Sequence, residues 1–312
     1  MDKVSIIIPV YNRENLIVET LESVLMQEHR NWECIIVDDG SSDETEKIVH
    51  FFTTKDQRFT YHQRPVGSNK GANTCRNYGY YQSSGDYIKW LDSDDVLLAD
   101  ALKNQVEFFS HGADVVVSKL AFTDFASQRK IKENNIISDN LIEDYFSGKV
   151  AFYVSGPLWN RDFLNRQNIL FDESITNLDD WDFNLRMLYQ NPKIIFNENV
   201  IIKYRIHEDS LSNEIQKLNI GELQSEFYAR EKHLRLIEEN KSASVKRIRS
   251  YIKSRYQLIL RELLVRKHSR KYYFLYKLLG YQIGLFDFKG ILKTLFGFTF
   301  YHISGKGYKY LK

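Results

Sequence analysis

Short β-branched runs alternating with amphipathic helical stretches constrain this chain more than any other feature. Residues 4–8, Val-Ser-Ile-Ile-Ile, and 33–38, Glu-Cys-Ile-Ile-Val-Asp, read as strands, and each gives way to apolar positions at helical spacing. The first such stretch, residues 14–27, places Leu16, Ile17, Thr20, Leu21, Val24 and Leu25 on one face. In the second, Asp43 and Glu44 stand where a helix N-terminus favours carboxylates, with Ser41 and Ser42 as the expected caps. A strand near Phe59-Thr60-Tyr61, a helix over residues 69–82 and a strand over 86–90 continue the series. A parallel neighbour needs a crossover and a helix supplies it, so this alternation predicts a parallel sheet.

The pattern runs on through a helix over 98–110 and a strand over 114–118, then loosens. Residues 120–150 are polar with little period and predict loops, a short hairpin and a small helix. A helix over 179–190 precedes strands near 193–197 and 200–205, and from about residue 215 the spacing is helical throughout. The expected organisation is an α/β domain over residues 1–214 and a helical region over 215–312. With 43% hydrophobic residues and only 4 Pro in 312, the chain can fill a large core and leaves little room for disordered linkers. The apolar N-terminal run breaks at Pro9, unlike a signal peptide, and no apolar stretch reaches membrane-spanning length. Cys34 and Cys75 lack zinc or disulfide spacing, so a reducing cytoplasm is the expected compartment.

In a parallel sheet ligands bind at the C-terminal ends of strands, so the loops after the first, second and fourth strands matter most. They read Pro9-Val10-Tyr11-Asn12-Arg13-Glu14, Asp38-Asp39-Gly40-Ser41-Ser42 and Asp92-Ser93-Asp94-Asp95. Three carboxylates within four residues repel one another unless solvent, a helix N-terminus or a cation offsets them. Taken alone, that cluster reads first as a solvated turn or a helix cap, and Asp95 suits the cap. Convergence with the other loops changes the reading. Asp38 and Asp39 can accept hydrogen bonds from a base and ribose, and a ring can lie against Tyr11 or the main chain near Pro9.

Four elements in order, Pro9-Val10-Tyr11-Asn12, Val37-Asp38-Asp39-Gly40-Ser41-Ser42-Asp43-Glu44-Thr45, Asn69-Lys70-Gly71 with Arg76-Asn77, and Asp92-Ser93-Asp94, resemble glycosyltransferase family 2. The resemblance implies the GT-A fold, an α/β architecture with a Rossmann-like, mixed but mainly parallel sheet flanked by helices. It implies a nucleotide-sugar donor, usually a UDP-sugar, and inverting transfer to an acceptor hydroxyl, of the kind used in bacterial surface polysaccharide or glycoconjugate synthesis. Asp39 would contact uracil, and Asp92 and Asp94 would bind Mg²⁺ or Mn²⁺ bridging the diphosphate. The donor site would also draw on Pro9, Tyr11, Glu14, Asp38, Asn69, Gly71, Arg76 and Ser93. Cys75 stands where the family usually has Ala, and a small buried thiol packs similarly. Arg76 either reaches the donor or orients an acidic loop.

The resemblance extends to Gly156-Pro157-Leu158-Trp159-Asn160-Arg161 and to Asp179-Asp180-Trp181-Asp182-Phe183, where the family has a Glu-Asp pair opening a helix. Asp180 falls at the position of the catalytic base. Asp179 replaces the Glu and Asp182 is close by, so the three acids remain alternatives for that role. Trp159 and Trp181 are candidates for an apolar wall against a sugar ring, or for the core. Tyr204-Arg205-Ile206-His207-Glu208-Asp209-Ser210-Leu211-Ser212 matches a further family element, which implies that His207 supports the metal and diphosphate. Arg205 would stabilise diphosphate charge or pair with an acidic neighbour.

The net charge of +2 conceals an asymmetry. Residues 241–312 hold 17 Lys and Arg against Glu262 and Asp287, about +15, which leaves about −13 for the first 240. Such a tail, with aromatics interleaved among its lysines, suits an anionic surface, membrane lipid or nucleic acid, or else a helical appendage or dimer contact. A lipid-linked or carbohydrate acceptor favours peripheral attachment to the inner face of a membrane, and nucleic acid is not expected. A nucleotidyltransferase would need a Gly-rich loop after the first strand, and Pro9 to Glu14 contains no Gly. A non-catalytic lipid- or RNA-binding module would leave the carboxylates unused.

Overall fold

The computed structural model describes residues 2–206 and 219–306. The chain divides into two compact units, Met1–Ala229 and Arg230–Lys312. The first opens with β1 (Val4–Val10), α1 (Ile17–Leu25), β2 (Trp32–Asp38), α2 (Thr45–Lys55), β3 (Phe59–Gln63), α3 (Ala72–Gln82) and β4 (Tyr87–Trp90). The alternation read from the sequence is present, and β1 pairs in parallel with both β2 and β4, as β2 does with β3. All seven residues of β1 are buried, as a strand covered on both faces must be. Helix α3 packs so closely over β1 that a Cβ at Gly79 would lie 2.5 Å from Ile7 Cγ2.

Then come β5 (Val96–Leu97), α4 (Ala101–Val106) with a single 3₁₀ turn after it, β6 (Val115–Asp124), β7 (Lys130–Glu133), α5 (Leu141–Ser147), β8 (Pro157–Asn160), α6 (Arg161–Asn165), α7 (Asp179–Leu188) and β9 (Ile194–Ile206). The expected hairpin and small helix within 120–150 are β6 with β7, and α5. Two expectations change. The helix over 98–110 is shorter and ends as a 3₁₀ turn, and the two strands near 193–197 and 200–205 are one, β9. Irregularities in its pairing with β6 between Ser118 and Leu120 absorb the polar Glu198 and Asn199 without ending it.

Among the described residues the sheet has nine strands in the order β3-β2-β1-β4-β8-β6-β9-β5, with β7 on β6. It is mixed, with its longest ladders parallel, because β8 runs antiparallel to both β4 and β6. From β1 the chain winds outward through β2 to β3 and then returns to place β4 on the other side of β1. Strand order therefore reverses beside β1, and the crevice there opens where β1, β2 and β4 end. The second unit is helical. Helix α8 (Ile220–Asn240) crosses the division, and α9 (Val245–Val265), α10 (Lys271–Gly284) and α11 (Phe288–Ser304) follow.

Candidate active site

The β1 and β2 loops are clipped together by side chains reading each other's backbone. Asp39 N–H donates to the Val10 carbonyl at 2.9 Å, Asn12 N–H to Ser41 Oγ at 2.9 Å, and Ser42 N–H to Asn12 Oδ1 at 2.8 Å. Ser41 and Ser42 thus do not cap α2. The N-cap residue is Glu44, without a side-chain cap, and the N–H groups there are met by Asp43, which accepts from Thr45 N–H, and by Glu14, which accepts from Glu44 N–H at 2.9 Å. Glu14, expected at the donor, is engaged by that backbone contact. Pro9 is buried in β1 opposite Val37. Tyr11 is exposed at the loop tip, with Lys70 Nζ 3.9 Å from its ring centroid.

Asp38 is spent inside its own turn: Oδ1 accepts from Gly40 and Ser41 N–H, and Oδ2 from the Tyr61 hydroxyl at 3.0 Å. Gly40, at φ 91°, makes that turn possible. Asp39 faces the other way. Its Oδ1 accepts from Arg64 Nε at 2.5 Å and from the N–H of Gly71, which leads into α3. Arg64, which the sequence reading missed, also donates to the Ser68 carbonyl at 2.6 Å and so ties Asp39 to the loop before α3. Asn69 is exposed in that loop, 3.4 Å from Glu173.

Arg76 links Asp92, expected at the donor, to the helix expected to carry the base. The residue is 5% exposed, with Nη2 donating to Asp92 Oδ1 at 2.9 Å and Nη1 to Asp179 Oδ2 at 2.5 Å and Asn73 Oδ1 at 3.0 Å. Two carboxylates stabilise its charge against burial. These contacts tie Arg76 to both acidic loops. Ser93 is buried and its carbonyl accepts from the Thr20 hydroxyl at 3.0 Å. Asp94 lies 3.9 Å from Arg13 Nε, and its backbone carbonyl accepts from Arg205 Nε.

Asp95 is no helix cap. It is buried, accepting from Ser155 Oγ at 3.2 Å and Arg205 N–H at 3.3 Å, and burial with the charges of Asp94 and Asp92 pushes its carboxyl well up. Arg205 is likewise turned inward, 2% exposed, with donors to Glu19 Oε2, the Leu16 carbonyl and Thr20 Oγ1. It fixes the β9 end to α1 instead of reaching into the crevice.

The start of α7 is held against β4 by aromatic packing. Trp90 meets Phe171 and Phe183 edge-on, with ring centroids 5.0 Å apart in both cases, and Phe171 and Phe183 stack at 4.5 Å. Leu178, just before the helix, sits at φ 66°, a conformation that costs a Leu about 1 kcal/mol. Of the three acids, Asp179 pairs with Arg76, and Asp182 is fully buried with Arg186 Nε 2.8 Å from its Oδ2. Asp180 accepts from Trp181 N–H, and burial followed by the charge of Asp179 lifts its carboxyl to about 7. Both tryptophans are in the interior, the second of the two placements open for them. Trp181 is buried with Nε1 on the Tyr145 carbonyl, and Trp159 is buried in β8, stacked on Phe163.

Tyr153 and Tyr204, their rings 5.3 Å apart, were not among the residues expected at the site. Burial and then Asp180 push the Tyr153 phenol up to about 12. Burial, with the charges of Asp95 and Asp92 behind it, raises that of Tyr204. They are apolar-bodied neighbours of the carboxylates; Tyr204 opens the Tyr-Arg-X-His element but was given no role there, and no local motif marks Tyr153. His207 lies outside the described residues.

A mixed, mainly parallel sheet flanked by helices, with a carboxylate-lined crevice where its strand order reverses, is a GT-A-like fold. The chain matches the model of Glycosyl transferase family 2 over residues 5–168 and belongs to that family. An uncharacterized glycosyltransferase of Rickettsia felis is 37% identical over 148 residues, which are 47% of this chain and 23% of that protein. The chain thus spans less than a quarter of that relative's length. TarS 1–349 of S. aureus in complex with UDP superposes with a TM-score of 0.60 at 20% identity, over 88% of this chain and 75% of that one. The mannosyltransferase PcManGT of Pyrobaculum calidifontis in complex with GDP-Man and Mn²⁺ gives 0.52 at 13% identity, over 98% and 88%. At these identities what is shared is the fold.

Proposed function

We propose that this chain is an inverting glycosyltransferase that moves a sugar from a nucleotide-sugar, a UDP-sugar first, to a hydroxyl of a carbohydrate or lipid-linked acceptor in surface glycoconjugate synthesis. The observation that carries the reading is Asp180. At about 7, its carboxyl is ionised enough near neutral pH to accept a proton and basic enough to hold it. Asp179 and Asp182 are tied to Arg76 and Arg186, which supports Asp180 among the three acids. Removing the acceptor proton as the glycosidic bond breaks lets the hydroxyl attack from the face opposite the leaving diphosphate. Asp39, Tyr11 and Lys70 border the part of the crevice suited to the base and ribose.

Among the described residues no group of three or more His, Cys, Asp or Glu is placed to hold a metal by itself. The donor set nevertheless fits a hard divalent cation, because Asp92 and Asp94 are both partly exposed and Mg²⁺ is commonly held by one or two carboxylates plus substrate phosphates. Asp92 and Asp94 would hold Mg²⁺ or Mn²⁺, which would offset the charge of the departing diphosphate. TarS was solved with UDP and the Pyrobaculum enzyme with GDP-Man and Mn²⁺, which supports that donor class. The test is a nucleotide-release screen over UDP-, GDP- and dTDP-sugars with either metal. We expect turnover with one donor, lost in EDTA and in Asp94→Asn and Asp180→Asn. Turnover indifferent to all three would refute the proposal.

A further inference from the structure

Helix α11 buries one side, through Thr294, Gly297 and Phe298, and leaves large apolar side chains on the other. Phe288 is 65% exposed, Leu292 71%, Leu295 43% and Ile303 80%. At 3.6 residues per turn these four fall within about a quarter of the helix circumference, a continuous stripe instead of scattered exposure. Lys289 and Lys293 are exposed beside it. The preceding helix repeats the arrangement. In α10, Phe274 and Leu278 face inward while Tyr272, Tyr276 and Ile283 are exposed, and Phe286 in the connecting turn is 79% exposed. Tyr276 and Ile283 also wall an open groove of about 690 Å³ with Leu279 and Gly280. Single exposed apolar residues are ordinary, but a run along two successive helices marks an interaction surface.

The charge of the same region says which partner it fits. Residues 241–312 carry 17 Lys and Arg against two acids, so an equivalent surface of a second copy would be repelled, whereas an anionic one is attracted. Exposed Tyr and Phe beside Lys is the composition of segments that lie in a headgroup layer, where rings sit at the interface and lysine stems reach past apolar surface to phosphates. Among the described residues no helix is long and apolar enough to cross a membrane. We infer that α10 and α11 form an interfacial face that docks on an anionic lipid bilayer, with the Phe288, Leu292 and Ile303 stripe entering the headgroup layer. This inference does not depend on the chemistry proposed for Asp180.

The experiment is flotation of the full-length protein with phosphatidylcholine vesicles containing or lacking phosphatidylglycerol. We expect flotation with the anionic vesicles, weaker at high salt, and little with the neutral ones. A Phe288→Ser/Leu292→Ser/Ile303→Ser variant keeps the charge and, because these side chains are exposed, should keep the wild-type circular dichroism and melting temperature. It should partition about ten-fold or more weakly. Lys289→Glu/Lys293→Glu should weaken binding to anionic vesicles alone. Failure to float with any vesicle, or equal flotation of the serine variant, would overturn the inference. So would a wild-type dimer that the serine variant renders monomeric without any flotation, since the stripe would then join two copies. Donor turnover measured on the same samples reports separately on the transfer reaction.

Discussion

The two units of this chain treat charge and apolar surface in opposite ways. In Met1–Ala229, Arg76, Arg205, Asp39, Asp95, Asp182 and Lys89 are all buried, each with partners at hydrogen-bond distance, while the apolar residues of β1, β2 and β6 fill the interior. In Arg230–Lys312 the basic residues are largely outside, and so are Tyr276, Phe286, Leu292 and Ile303. Burial pushes the Asp95 carboxyl up and the Lys89 amine down, and perturbed groups of that kind are the material of catalysis. Apolar groups left in water acquire a tendency to find another surface. The difference separates a unit suited to chemistry from one suited to attachment, and each side can be challenged on its own terms.

The largest effect should come from Asp180. Replacing the proposed base by Asn should lower kcat by about 10²- to 10⁴-fold with an unchanged circular dichroism spectrum. In the wild type, the rate should fall as pH drops below about 7, because protonation removes the base. Stability should run the other way. The folded state holds this proton more tightly than the unfolded chain, whose Asp titrates near 4, so stability declines as pH rises between about 4 and 7. Asp180→Asn should therefore raise the melting temperature more at pH 8 than at pH 4. An equal gain at both would show that Asp180 titrates normally.

Arg76 comes next. Arg76→Met keeps much of the volume but leaves Asp92 and Asp179 without their shared cation, and should cost about 2 kcal/mol in denaturant unfolding, discounted because both carboxylates are partly exposed. The sharper readout is the pH profile. Arg76 is among the groups that hold the Asp180 carboxyl down, so its loss should move the acidic limb of the rate profile to higher pH. A limb that stays in place would mean Arg76 only packs.

How much of this was legible from the sequence follows the same division. β1, β2 and β4 were readable because each is a local apolar run bounded by its own loop, and the loop motifs follow directly. Arg64 was not, because its meaning lies in a contact with Asp39, 25 residues away. For Arg205, Trp159 and Trp181 the sequence left crevice and interior open as alternatives, since motif position says which loop a residue belongs to, not which way its side chain turns. The merger of two strands into β9 escaped for a related reason: polar Asn197, Glu198 and Asn199 look like a break unless the neighbouring strand is known to absorb them. On the helical tail, composition indicated an anionic partner, but the spacing that sorts Phe274 inward and Phe288 outward needed the packed helices.

The smallest expected effect is the most discriminating for the second unit. Leu292 is 71% exposed, so Leu292→Ser removes almost no buried area and should change the unfolding free energy by less than about 0.5 kcal/mol. Leu278, one helix earlier and fully buried, should cost about 2–5 kcal/mol as Leu278→Ala, since a cavity replaces its contacts. If Leu292→Ser were as costly as Leu278→Ala, the stripe would be core of this unit or of an assembly formed in the assay, and its exposure would lose its meaning. If the two separate as expected, Leu292 contributes nothing to holding the fold together, and its place in a row with Phe288 and Ile303 needs a reason outside the folded chain.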